Sequence, residues 1–85
     1  FGDLEEARSA LQTARTSGNR RDVLAASQSL VDVLRPLAAS DAGTWGRELV
    51  TALEDLGEAK FRAGDWWGSR GPKKEAKQLA KDLGL

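Results

Sequence analysis

The sequence predicts an all-α fold, and three observations predict it. Apolar residues recur at three- and four-residue steps along most of the chain. Gly, Asn, Asp and Pro punctuate these runs where helices would start and stop. No stretch shows the strict alternation of a half-buried strand. The 85 residues make one domain. By surface scaling about 63% of the unfolded surface is buried, which supports one modest core and no lidded cavity. Short connections make chain neighbours antiparallel. The expected architecture is therefore either antiparallel helical hairpins, about two repeats, or a compact four-helix arrangement.

Each element has its own justification. Asp3, with Glu6 three residues on, reads as the cap of a first helix. Leu4, Ala7, Leu11 and Ala14 form its apolar face, and Ser17-Gly18-Asn19 stops it. Asp22 is placed to cap a second helix. Val23, Leu24, Ala26, Leu30, Val31, Val33, Leu34 and Leu37 give that helix a wide apolar face, so it should be the most buried element. Pro36 should kink or end it, and Ser40 to Thr44 reads as a turn. The third helix runs from about Thr44 to Ala63, lined by Trp45, Leu49, Ala52, Leu53, Leu56, Ala59 and Ala63. Gly57 lies in its middle, where Gly costs about 1 kcal/mol against Ala and often marks the close approach of another helix. Gly64 caps its end. Asp65 could cap a short turn holding Trp66 and Trp67. Gly71-Pro72 should interrupt any helix, with Pro72 opening a final one along Ala76, Leu79, Ala80 and Leu83. The expected organisation is a first hairpin over 1–41, the start of a second repeat over 42–70, and a capping helix over 71–85. Phe1 in place of an initiator Met reads as a piece of a longer protein or a processed chain.

Composition narrows the chemistry. Thirteen Lys and Arg balance thirteen Asp and Glu, so no global field steers the chain toward a polyanion. Cys, His, Tyr and Met are absent. That removes disulfides, thiolate metal sites, a cysteine nucleophile and the usual proton shuttle. Without His, none of the serines has the usual activating base. Glu54, Asp55 and Glu58 could pair as acid and base, but nothing in the sequence puts them in a dry pocket. No glycine-rich phosphate loop and no calcium-loop spacing is present. The expectation is no enzyme, no metal and no cofactor. With no membrane-length apolar run and no signal-peptide layout, a cytoplasmic setting is expected.

The segment from Arg21 to Ala39 resembles the second helix of a tetratricopeptide repeat, in the Ala-rich style common in high-GC bacteria. The segment from Glu48 to Gly64 is similar to the first helix of a following repeat. Leu56-Gly57 matches that family's Leu-Gly pair, Gly64 its inter-helix Gly, and Trp66 falls where the family places an aromatic. Gly18-Asn19 and Gly64-Asp65 repeat the same punctuation 46 residues apart. The likeness covers roughly residues 3–70. Lys60 departs from the family's Tyr, Ala10-Leu11 from its Leu-Gly pair, and Lys73 from a larger apolar residue.

What the resemblance implies is a non-catalytic module that binds a protein or peptide in a groove lined by the first helix of each pair. The groove positions fall on Glu5, Arg8, Gln12 and Arg15, and on Thr51, Glu54, Glu58 and Phe61. Helical spacing independently puts Glu54, Glu58 and Phe61 on one face. Two acids there would repel a carboxylate, so a basic or amphipathic segment is the expected ligand. The bland alternative is a solvated face. Trp66 and Trp67 lie about 100° apart on a helix, so both cannot point inward. One should pack on the third helix and the other, Trp67, should anchor a partner. Alternatively, both cover the edge of a small core. Finally, Arg70, Lys73, Lys74, Lys77 and Lys81 oppose only Glu75 and Asp82 after residue 69. This run could meet phosphates or an acidic surface, but the final helix as read has no interleaved aromatic. Nucleic acid is therefore not the expected partner, and an oligomerisation segment is a further alternative.

Overall fold

In a computed structural model describing residues 2–85, the chain is all-helical. Four helices follow one another: α1 Gly2–Ser17, α2 Arg20–Ser40, α3 Ala42–Arg62 and α4 Trp66–Asp82. They form a slab of 33 × 31 × 16 Å.

The helices pack in chain order. α1 lies on α2, α2 on α3 and α3 on α4, and among the described residues no other pair of helices approaches backbone to backbone. Helices two apart meet through side chains instead. Arg8 and Arg15 of α1 pair with Glu48 and Asp55 of α3, and Arg35 of α2 pairs with Glu75 of α4. The two α1–α3 pairs advance in the same direction along both helices, so α1 and α3 run parallel with α2 antiparallel between them.

The core is where periodicity placed it. Leu4, Ala7, Leu11 and Ala14 of α1 are all buried. Leu34, Leu53, Leu56 and Val31 are the most enclosed large side chains. The most buried element is α3 rather than α2: α3 buries Gly46, Leu49, Val50, Ala52, Leu53, Leu56, Gly57 and Ala59. Both α2 and α3 lie between two neighbours, but the α3–α4 contact is more extensive than the α1–α2 contact. Ser27 is also buried, and its hydroxyl finds no hydrogen-bond partner among the described residues.

Several boundaries differ from the sequence reading. α1 already includes Asp3, which lies in its first turn. Asn19, not Asp22, caps α2; its side-chain oxygen accepts from the N–H groups of Arg21 and Asp22 at 3.0 and 3.3 Å. Pro36 does not end α2, which runs to Ser40; a proline removes one backbone donor, and the helix keeps Ala38 buried beyond it. The expected turn at 40–44 shrinks to Asp41, which closes α2 and caps α3 by accepting from the Thr44 N–H at 3.2 Å.

The largest difference is at α4. It starts at Trp66 and passes unbroken through Gly71-Pro72. Gly64, at φ +90°, supplies the left-handed step that ends α3. The Asp65 N–H then donates to Lys60 O at 2.8 Å, the six-to-one bond of a Schellman motif. Asp65 Oδ1 accepts from the Gly68 N–H at 2.8 Å and starts α4. Pro72 costs one ladder bond, yet its ring is buried together with Ser69 and Ala76 against α3.

Candidate functional site

The solvent side of α3 carries the residues expected in the groove. Glu54, Glu58 and Phe61 are all exposed and share one side of the helix. Phe61 is 52% exposed. Its ring stacks on Trp66 with centroids 6.3 Å apart, and the Lys73 ammonium sits 5.5 Å from its centroid. Glu58 accepts from Arg62 one turn on, at 2.7 Å, so part of the expected acidity is neutralised. Glu54 makes no ion pair among the described residues.

Two of the α1 residues expected in the groove are tied to α3. Arg8 grips Glu48 with two nitrogens, Nε donating at 2.8 Å. This hydrogen bond raises the Arg8 guanidinium above its usual pKa. Arg15 reaches Asp55 at 3.0 Å. These two arginines are rungs that hold α1 beside α3. Gln12 lies between them on the exposed surface, its backbone carbonyl accepting from Thr16.

Where α1 ends and α2 begins, an open cleft of about 640 Å³ gathers Arg15, Arg20, Asp55, Glu58 and Arg62. Arg20 donates to the Arg62 carbonyl at 3.3 Å, bridging the end of α3. Asp55 and Glu58 occupy Arg15 and Arg62, leaving Arg20 as the cation in the cleft without an acidic partner among the described residues. Phe61 does not line this cleft; it faces α4. The structure thus brings Arg15 and Glu58 together, puts Phe61 on the opposite flank of the same surface, and leaves Arg8 and Gln12 farther along α1.

Neither Trp of the 66–67 pair packs into the core. Trp66 is 66% and Trp67 79% exposed. Trp66 packs on α3 as expected, through its stack on Phe61, but from the surface, and Trp67 is exposed; the alternative that both cover a core edge is corrected. With α4 beginning at Trp66, both rings fall on its outer half. Arg70 lies over the Trp67 ring, 4.6 Å from its centroid. The final helix therefore carries the Trp pair in its first turn and the bases after it, whereas the sequence reading kept the two apart. The signal was present: the Gly18-Asn19 punctuation, repeated at Gly64-Asp65, places a helix start at residue 66 just as it does at 20.

Gly57 is a contact point, as its position predicted. A Cβ there would lie 2.6 Å from Lys73 Cγ and 3.2 Å from the Ser69 carbonyl oxygen. At the other end of the interface a Cβ on Gly46 would fall 2.6 Å from Leu83 Cδ1. These two glycines let α4 lie close along α3.

Among the described residues, no cluster of three or more Asp, Glu, His or Cys is placed to hold a metal ion. Among the same residues, no helix is long and apolar enough to cross a membrane. No family model, no curated protein and no solved structure matches the chain.

Proposed function

We propose that the chain is a non-catalytic helical-hairpin module of tetratricopeptide type that binds a protein or peptide across the solvent face of α3. The observation that carries the reading is Phe61, more than half exposed, stacked on Trp66 and two turns from Glu54 on the same side of α3. An exposed aromatic pair on the same helix side as a carboxylate that forms no ion pair among the described residues fits a segment offering both an apolar and a basic side chain. The chain-order packing and the parallel α1–α3 pair support the repeat reading, because they are what stacked hairpins produce. The occupant is a basic amphipathic helix, whose apolar residues meet Phe61 and whose Lys or Arg meets Glu54.

The test is an amide chemical-shift titration with a designed Lys/Leu amphipathic peptide. Binding should perturb residues 54–61 and should be lost in the Glu54→Lys, Glu58→Lys double variant. Unchanged affinity in that variant, or perturbation confined to α2, would remove this face as the binding site.

A further inference from the structure

The outer face of α4 has a composition that packing does not explain. On an α-helix, Trp66, Lys77, Arg70, Lys81, Lys74 and Trp67 fall within an arc of about 100°. All six are exposed. Lys73 borders the arc on the side of Phe61. No carboxylate lies within it: Glu75 points to Arg35 of α2, and Asp82 accepts from Gln78 on the far side. None of the five cations forms an ion pair among the described residues, although Arg8, Arg15, Arg35 and Arg62 all do. In a chain of zero net charge, this helix face holds concentrated positive charge with nothing to neutralise it.

We infer that this face binds single-stranded nucleic acid. Phosphates would lie along Lys74, Lys77, Lys81 and Arg70, and bases would stack on Trp66 and Trp67. Three features select this polyanion. First, the face has two large exposed aromatic rings in the first turn of the helix and cations along the rest of its length, the pairing of stacking platform and basic track that single strands use. Second, it has no Leu, Ile or Val, so an acidic amphipathic helix would find no aliphatic surface to bury. Third, the apolar side of α4 is already committed to α3 through Ser69, Pro72 and Ala76, so the helix cannot turn that side into a bilayer. A duplex hides its base faces and would leave the Trp pair unused. This face shares Trp66 with the proposed α3 site but uses neither Glu54 nor Glu58, so the lysine triple variant and the glutamate double variant test the two readings separately.

The experiment is fluorescence anisotropy of a labelled 12-nucleotide oligo(dT) titrated with the purified chain at low salt. The account expects saturable binding, with log K falling by roughly 3 units per decade of salt as the phosphates release their counterions. Lys74→Glu, Lys77→Glu and Lys81→Glu together should abolish it, and these exposed substitutions leave the core untouched. Trp66→Ala with Trp67→Ala should weaken it about tenfold or more through lost stacking. Arg21→Gln, an exposed cation on α2, should leave it unchanged, and circular dichroism should show every variant folded. Flat titrations at low salt would overturn the inference. So would full binding by the lysine triple variant, or an unchanged affinity after both Trp are removed. Equal or tighter binding to poly-glutamate, or to phosphatidylserine vesicles, would assign the face to an acidic protein or a membrane instead.

Discussion

α2 and α4 occupy equivalent places in the chain and have become different surfaces. Each follows a left-handed glycine, Gly18 at φ +74° and Gly64 at φ +90°, and each is capped by the next polar residue, Asn19 or Asp65. Positions 46 apart keep one face in common. Ala26 and Pro72 are both buried, as are Leu30 and Ala76, while Leu37 and Leu83 are both half-buried. The second face differs. Leu24, Ser27 and Val31 of α2 correspond to Arg70, Lys73 and Lys77 of α4. α2 has two helices to satisfy, α1 and α3, whereas α4 has only α3. The same helical unit is thus apolar on two sides where it is covered twice, and cationic on the second side where it is covered once. Solubility alone would be met by charges of either sign. The absence of any acid among the exposed cations is what the fold leaves for function to explain.

Substitutions sharpen this contrast, beginning with the largest effect. Leu34→Ala empties a fully enclosed site in α2 and should cost about 2–5 kcal/mol in denaturant unfolding. Ala80→Gly, at the matching place in α4, should cost about 1 kcal/mol. Near-equal losses would mean that α4 is as deeply committed to the core as α2. Next, Gly57→Val pushes against the Ser69 backbone and should destabilise by roughly 1–3 kcal/mol. Hydrogen exchange should show that loss first in α4, with α1 and α2 still protected. The caps are where the two helices should agree: Asn19→Ala and Asp65→Ala should each cost about 1 kcal/mol in thermal unfolding. Ser27→Ala removes a buried hydroxyl without a partner and should be neutral or stabilising by a few tenths of a kcal/mol.

Acid provides a smaller perturbation, at the joint between α2 and α3. Hydrogen bonds from the Thr44 hydroxyl and N–H hold Asp41 below its usual carboxylate pKa. A lowered folded-state pKa means the cap's contribution is complete above the unfolded value and is lost as pH falls through the folded one. The urea midpoint should therefore drop on acidification more in the parent chain than in Asp41→Asn.

The legible parts of the fold were those set by side-chain periodicity. Leu4, Ala7, Leu11 and Ala14 read as one buried face and are one, and Gly57 read as a contact point and is one. The helix breaks were not legible, because local cost alone does not decide them. Gly71-Pro72 costs a helix about 3–4 kcal/mol. The Asp65 cap and the burial of Ser69, Pro72 and Ala76 against the Gly57 flank outweigh that. The error propagated to the surface: starting the last helix at Pro72 separated the Trp pair from the lysines, so the shared face could not be seen. Glu54, Glu58 and Phe61 were legible as a face. The pairing of Arg8 with Glu48 and Arg15 with Asp55 was not, because it depends on how far α1 slides along α3.

The most direct test of the account uses the emission of Trp66 and Trp67 in a Trp45→Phe chain, where they are the only tryptophans. Exposed rings on an open α4 face should give red-shifted emission, readily quenched by acrylamide and shielded from it when oligo(dT) is added. Blue-shifted emission that acrylamide cannot reach in the free chain would place both rings inside a packed interface and contradict the account.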